Sequence, residues 1–181
     1  NQSNFLSVFG GKYTTFRLMS VQAAKAVCGF FRKPFDSKES LKMAFYGGDI
    51  KDLEAFIEKN FFIESNIYPI SKEIYSLLVS RYGSAYTDVM AIIFEDPKYK
   101  PFLKGTSYLV GELVYSIRYE FTLTLVDFFR RRTKLFFEKN HGLDCLDEVI
   151  TIFQKELNWT SQESEFYETE YRELLIRSKV D

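Results

Sequence analysis

The sequence predicts a mainly α-helical protein, in which a multi-helix bundle follows a short strand, a glycine turn and a helix. Three observations support this prediction. Apolar residues recur at three- or four-residue steps through most of the chain after residue 50. Serine or threonine stands where several of these periodic segments begin, and glycine or proline where they end. Residues 5 to 9 instead form a short, mostly apolar run, which is typical of a buried strand.

Residues 1 to 33 are predicted to form the strand, the turn and the first helix. Gly10-Gly11 is the turn, and Pro34 is expected to stop the helix. Glycine reaches positive φ at little cost, so this turn lets backbone N–H groups approach a planar or phosphorylated ligand. The apolar face of the helix comprises Phe16, Met19, Ala23, Val27 and Phe30.

The rest of the chain is predicted to be a linker, residues 34 to 50, and a helical domain, residues 51 to 181. The linker has no sustained periodicity and includes Gly47-Gly48. In the helical domain, Ser71 is expected to cap one helix that ends at Gly83. Thr124-x-x-Asp127 and Thr160-x-x-Glu163 have the spacing of capping boxes, so each predicts a helix start.

The composition excludes several classes of protein. The formal charge of -1 gives no electrostatic reason to expect a nucleic acid as partner. Two distant cysteines and a single histidine indicate neither a disulfide framework nor a metal site. No apolar run approaches the roughly 20 residues of a membrane span. We therefore expect a cytoplasmic protein, whose membrane contact, if any, is peripheral and at the inner face of the cell membrane.

From the sequence pattern alone, Lys12 is the main candidate for a residue that binds a ligand. Beside a glycine turn at a helix start, it can supply positive charge to a phosphate or another anion. The alternative is a solvated loop lysine. A nucleotide-binding P-loop is excluded, because its pattern needs glycine at position 6 and serine or threonine at 13, where the chain has Leu6 and Tyr13.

The other conspicuous side chains have mainly structural interpretations. Three consecutive arginines, Arg130 to Arg132, point to different helix faces, and Arg131 is spaced to pair with Asp127. His141 precedes Gly142 and is expected to bind the terminal carbonyls of a helix. Trp159 is expected to be a packing anchor.

Four segments resemble the FAD-dependent glycerol-3-phosphate dehydrogenases and the related alpha-glycerophosphate oxidases. Residues 10 to 17, GGKYTTFR, are similar to the GGK-x-TT-Y/F-R segment of that family. Residues 112 to 120 resemble its E-V-x-Y-x-x-R-x-E helix, and residues 122 to 133 its T-L-x-D-x-L-x-R-R-T segment. Residues 156 to 159 resemble its E-L-G-W ending. The four segments keep the order of the family and cover nearly the whole chain.

The resemblance implies that this chain is the C-terminal portion of a larger enzyme. Residues 1 to 33 would then be the end of an FAD-binding domain, and the G-x-G-x-x-G fingerprint of such a domain is missing from the chain. The implied enzyme oxidises sn-glycerol 3-phosphate to dihydroxyacetone phosphate, with hydride passing from C2 to N5 of FAD and electrons to a quinone or dioxygen. The fragment alone is expected to be inactive. The alternative is a non-enzymatic helical domain for protein–protein interaction.

The resemblance also implies the site residues. Lys12 and Arg17 would bind the substrate phosphate, although Arg17 has an equal alternative as a brace for the helix. No catalytic residue is expected in this segment, and the FAD domain of the same polypeptide is the expected partner. A homodimer stays open. The implied flavin-binding residues are Gly10, Gly11, Lys12, Tyr13, Thr14 and Thr15, with simple N-capping as the alternative for the two threonines.

Overall fold

The computed structural model describes residues 5–10 and 12–178. Within these residues the chain forms seven α-helices, connected by loops and short 3-10 and π segments. The described part contains no strand beyond an isolated antiparallel bridge between Phe102 and Leu109. The prediction of a mainly α-helical protein is confirmed.

The strand predicted over residues 5 to 9 is not formed. Residues 5 to 10 have no regular secondary structure. The backbone groups of a strand need a neighbouring strand, and the described chain offers none at this place. Residues 1 to 4 and Gly11, which belong to the same prediction, lie outside the described residues.

The chain divides into two compact units, one of residues 1–45 and one of residues 46–181. We call them the N-terminal unit and the helical unit. The N-terminal unit contains a 3-10 turn, Tyr13–Thr15, helix α1, Phe16–Phe30, and a second 3-10 turn, Glu39–Leu41. Helix α1 ends before Pro34, because Arg32 already has a left-handed φ of 51°.

The helical unit contains the other six helices. They are α2 (Leu53–Ile67), α3 (Lys72–Tyr82), α4 (Tyr86–Glu95), α5 (Val110–Tyr119), α6 (Leu146–Leu157) and α7 (Ser161–Arg177). A π-helix, Asp127–Arg132, lies between α5 and α6. Helix α5 contacts α4, α6 and the π-helix, and eight of its ten residues are buried. It is therefore the central helix of the core.

The predicted helix caps are confirmed. The Ser71 hydroxyl accepts from the backbone N–H of Ile74, and Gly83 ends α3 at a φ of 58°. The Thr124 hydroxyl accepts from the N–H of Asp127, whose carboxylate accepts from the N–H of Thr124. The same reciprocal pair joins Thr160 and Glu163 at the start of α7. Each pair satisfies two backbone donors that a helix start leaves free.

Gly47 packs against the turn after α3. Its carbonyl oxygen accepts from the N–H of Ser84 at 3.1 Å, and a Cβ on Gly47 would lie 2.2 Å from the carbonyl oxygen of Tyr82. With φ angles of 76° at Gly47 and 58° at Gly83, both positions favour glycine. The last part of the predicted linker, from Tyr46 onward, thus belongs to the compact helical unit.

His141 differs from its predicted setting. It does not follow an α-helix, since the preceding ordered element is a 3-10 turn, Leu135–Phe137. Its Nδ1 lies 2.7 Å from the carbonyl oxygen of Phe136 within that turn. The predicted contact with a carbonyl is present. The helix predicted to end at His141 was wrong, since a short 3-10 turn precedes this residue and Gly142, at φ 70°, begins another.

Candidate functional site

The glycine–lysine segment leads into the start of α1. Lys12 has an extended backbone, with φ −91° and ψ 136°, and precedes the 3-10 turn of Tyr13–Thr15. The backbone N–H and the hydroxyl of Thr15 both donate to the carbonyl oxygen of Lys12, at 3.1 and 2.8 Å. Thr15 therefore fixes the main chain of Lys12, and its hydroxyl does not cap α1.

Lys12 lies in a groove of about 560 Å³ in the N-terminal unit. Its side chain is exposed, and no described carboxylate forms an ion pair with it. A Cβ on Gly10 would lie 2.4 Å from the Cε of Met19, the end of a flexible side chain that would have to shift. The lining residues are Val8, Gly10, Lys12, Tyr13, Phe16, Met19, Ser20 and Ala23.

Arg17 lines a different groove, of about 480 Å³. Phe16 and Ser20 line both grooves, so the grooves that contain Lys12 and Arg17 adjoin at these two residues. The guanidinium of Arg17 donates to the Ser40 hydroxyl at 3.2 Å. This contact is of the kind expected from a brace, and a phosphate site shared by Lys12 and Arg17 stays a prediction.

The electrostatics at the start of α1 favour an anion. The first turn of this helix contains no acidic residue. The unpaired N–H groups of a helix start carry roughly half a positive charge, which adds to the charge of Lys12. Apolar Val8, Phe16 and Met19 stand beside this positive end. The groove therefore suits a planar group with an apolar body and a polar, electron-rich edge.

Glu112, in the segment of the helical unit that resembles the family helix, forms a buried ion pair. Its carboxylate accepts two bonds from the Nη1 of Arg81, at 2.7 and 2.9 Å, and one from the hydroxyl of Tyr82 at 3.0 Å. Its side chain is 1% exposed. Burial raises the pKa of the Glu112 carboxyl, although Arg81 opposes that shift. This glutamate joins α5 to α3.

Arg118, in the same segment, joins three helices. Its guanidinium donates to Glu156 of α6 at 2.7 Å and to Glu95 of α4 at 2.8 Å. The hydrogen bond to Glu156 raises the pKa of Arg118, so the guanidinium keeps its charge. Glu112 and Arg118 of this segment thus hold helices of the core together.

The three arginines of the π-helix have separate contacts, as their spacing predicted. Arg130 lies over the ring of Phe136, at 5.1 Å. Arg131 pairs with Asp127, and Arg132 pairs with Glu120. Such separate contacts indicate a structural role.

Trp159 is the packing anchor that the sequence predicted. Its ring stacks between Phe153 at 4.6 Å and Tyr167 at 4.4 Å. It therefore connects α6 to α7.

A third groove, of about 410 Å³, was missed at the level of sequence. It lies in the helical unit and is lined by Tyr46, Asp88, Ala91, Ile92, Tyr115 and Tyr119. The sequence gives one signal for this groove. Tyr115, which lines it, belongs to the segment that resembles the family helix. Asp88 and Tyr46 are 42 residues apart and share no motif with it.

Within residues 5–10 and 12–178, no helix has the length and apolar character needed to cross a membrane. The same residues contain no group of three histidine, cysteine or acidic side chains that could hold a metal ion.

Comparison with known proteins identifies the family. Residues 39–164 match the family of the C-terminal domain of alpha-glycerophosphate oxidase. Since this match covers most of the chain, the protein belongs to that family, and the resemblance inferred from the four segments is confirmed.

Curated relatives cover nearly the whole chain. It is 29% identical over 161 residues to glycerol-3-phosphate dehydrogenase 2 of Mycobacterium tuberculosis, which is 88% of this chain and 27% of that protein. It is 29% identical over 177 residues to the aerobic glycerol-3-phosphate dehydrogenase of Staphylococcus epidermidis, which is 93% of this chain and 31% of that protein. The aerobic enzyme of Staphylococcus aureus is 28% identical over 182 residues, 96% of this chain and 32% of the relative. The chain thus spans less than a third of the length of these relatives.

Proposed function

We propose that this chain is the C-terminal part of an FAD-dependent enzyme that oxidises sn-glycerol 3-phosphate to dihydroxyacetone phosphate. The main support is Lys12, exposed and without an ion pair in the described chain, in a groove at the start of α1. Membership of the family and the names of the relatives support the substrate. FAD, when bound, supplies N5 as the acceptor of the hydride from C2.

The groove fits a flavin edge in its chemistry. One side offers a cation and the N–H groups of a helix start, which suit the polar pyrimidine end of the ring system. The other side offers the apolar side chains of Val8, Phe16 and Met19. Gly10 has no side chain, so a ligand can approach the backbone closely at this position. This combination of donors and apolar contacts supports binding by Gly10, Gly11, Lys12, Tyr13, Thr14 and Thr15.

Lys12 is proposed to hold anionic charge, either of the substrate phosphate or at the flavin edge. An ammonium group held by a fixed main chain needs little reorganisation when charge develops beside it. Thr15 supplies that fixation through its two hydrogen bonds to the Lys12 carbonyl. Arg17 is proposed as a second contact for the phosphate, and its bond to Ser40 would then have to give way.

The other components of the reaction are proposed to lie outside this segment. The group that takes the proton of the C2 hydroxyl, and most contacts to FAD, belong to the remaining part of the polypeptide. Electrons would pass on to a quinone or to dioxygen. We further propose a cytoplasmic location, with peripheral contact at the inner face of the cell membrane, and a homodimer as an open assembly state.

The test is Lys12→Ala in the complete polypeptide, with Lys25→Ala as the matched control. Lys25 is an exposed lysine on α1, and it lines neither groove. We expect Lys12→Ala to lower kcat/KM for glycerol 3-phosphate by roughly 10²- to 10³-fold, as for loss of a fixed electrostatic donor. The control should keep its activity, and both variants should keep the wild-type melting temperature. Unchanged activity of Lys12→Ala would remove the proposed role.

A helical domain for protein–protein interaction is the second candidate. The exposed Phe62, Ile63 and Ile67 on α2 favour it, since they form an uncovered apolar surface on one helix. It predicts a stable complex with a partner protein that survives Lys12→Ala. It also predicts that the complete polypeptide neither binds FAD nor reduces a dye when given glycerol 3-phosphate.

A further inference from the structure

The groove around Tyr115 combines aromatic rings with a carboxylate. Tyr115 is 4% exposed and lies in the core, whereas Tyr46 and Tyr119 are 76% and 62% exposed. The rings of Tyr115 and Tyr119 lie 5.3 Å apart at 32°. Asp88 belongs to the first turn of α4 and accepts a hydrogen bond from the hydroxyl of Tyr46. All of these residues belong to the helical unit.

This arrangement is fixed before any ligand binds. Tyr46 precedes Gly47, whose backbone is held against the turn after α3 by the bond to Ser84. Tyr115 and Tyr119 are one helical turn apart on α5, so they share one face of that helix. The backbone segments held in this way lose little conformational entropy on binding.

The groove is negatively charged. No described lysine or arginine forms an ion pair with Asp88, so its charge is available to a ligand. Desolvation raises the pKa of the Tyr115 hydroxyl, a hydrogen bond with Tyr46 opposes this, and the charges of Glu120 and Asp88 raise it further. No lysine or arginine is among the residues that line the groove, and Arg132 is bound to Glu120, which follows Tyr119 in the chain. An anionic ligand would face repulsion here.

We propose that this groove binds an organic cation, an alkylammonium or guanidinium group. The faces of tyrosine rings attract a cation through their quadrupole, and a neighbouring carboxylate adds direct charge attraction. A cation is therefore attracted both by the tyrosine rings and by the carboxylate of Asp88. A neutral apolar ligand would displace water from the exposed carboxylate of Asp88 without offering it an opposite charge. The proposal is independent of the flavin site, which lies in the other unit.

The test uses the complete polypeptide with tetramethylammonium and methylguanidinium as probes, followed by ligand-observed NMR titration. We expect saturable binding that Asp88→Asn weakens about tenfold. Glu165→Gln, the same charge change at an exposed position of α7, should leave the affinity unchanged. Tyr119→Leu should weaken binding about threefold, whereas Tyr119→Phe, which keeps the ring, should not. Circular dichroism checks that each variant is folded.

The cation can also be a lysine or arginine side chain of the same polypeptide. In that case a crystal structure of the complete polypeptide shows such a nitrogen within about 6 Å of the Tyr115 or Tyr119 ring. The free probes then bind only after that basic residue is replaced by alanine, and this result also supports the proposal. Two results would overturn it: a groove that takes neither probe and holds no basic side chain, or probe binding that Asp88→Asn leaves unchanged.

Discussion

The two units differ sharply in how much of their surface they bury. Every hydrophobic residue of the buried core, from Ile57 to Leu175, belongs to the helical unit. No described residue of the N-terminal unit is buried, and Phe9 and Tyr13 are each 90% exposed. Helix α1 has the periodicity of an amphipathic helix, yet its apolar face is not covered. The helical unit thus has a buried core of its own, whereas the described part of the N-terminal unit has none.

The two units also differ in whether the residues that resemble the family have a structural role. In the helical unit, Glu112 and Arg118 of the segment that resembles the family are explained by buried and bridging ion pairs. In the N-terminal unit, the glycine–lysine segment stabilises no core, because none of the described residues of this unit is buried. A motif without a structural task in its own unit is better explained by a ligand or a neighbouring domain.

The rates at which Cys28 and Cys145 react with a thiol reagent should show the largest difference between the two units. Cys145 is buried, and desolvation raises its pKa to about 12, whereas Cys28 on α1 is half-buried. Because only the thiolate reacts, we expect a thiol reagent at pH 8 to label Cys28 roughly a thousandfold faster than Cys145. Mass spectrometry of the labelled peptides measures the ratio. Equal rates would show that the helical unit is not the closed core described above.

Truncation of one phenylalanine in each unit tests the difference in packing. Phe153 is fully buried and stacks on Trp159, while Phe9 is 90% exposed. We expect Phe153→Ala to lower the free energy of unfolding by about 4 kcal/mol and Phe9→Ala by less than about 0.5 kcal/mol. Urea denaturation of the 181-residue chain gives both values. A loss of comparable size at Phe9 would mean that the N-terminal unit has a core after all.

Removal of the buried carboxylate of Glu112 should have the next largest effect. Glu112→Ala leaves Arg81 without its partner, and we expect a loss of about 3 kcal/mol in the free energy of unfolding. Glu165→Ala, at an exposed position, is the control and should change stability little. The proposed flavin site predicts that FAD binding persists in any Glu112→Ala protein that stays folded. Selective loss of the flavin from the folded variant would connect Glu112 to the site.

Replacement of Asp127 should have the smallest effect on the free energy of unfolding, and this effect should depend on pH. Partial burial alone would raise the pKa of Asp127, but hydrogen bonds from Thr124 and Leu123 and the pair with Arg131 lower it overall. The stabilisation is therefore present above the ordinary pKa of about 3.9 and is lost as the pH falls through the lower folded value. We expect Asp127→Asn to cost about 1 kcal/mol at pH 7. The difference from wild type should shrink below pH 4, and a constant difference would contradict the assignment.

The sequence predicted what local chemistry determines. Helix starts at Ser71, Thr124 and Thr160 were predicted because a capping side chain and its partner lie three residues apart. The end of α3 at Gly83 follows from the need for positive φ. The family was recognised from four segments, and Lys12 was placed correctly at the start of a helix.

The features that failed or were missed depend on distant partners. The strand over residues 5 to 9 needs neighbouring strands that the described chain does not provide. The groove at Tyr115 brings together Tyr46 and Asp88 from distant positions, and no spacing in a sequence signals such a meeting. Arg17 can bind phosphate only if its side of α1 faces the substrate. Helical spacing alone does not predict which side of the helix does so.

The most direct test of the central claim is a crystal structure of the complete polypeptide with FAD and glycerol 3-phosphate. We expect the Gly10-Gly11 turn to lie against the isoalloxazine, with the Nζ of Lys12 within about 3.2 Å of a flavin or phosphate oxygen. We also expect the exposed apolar face of α1 to be covered by the preceding domain. A structure that places this turn far from the flavin, with Lys12 in solvent, would contradict the proposed flavin site.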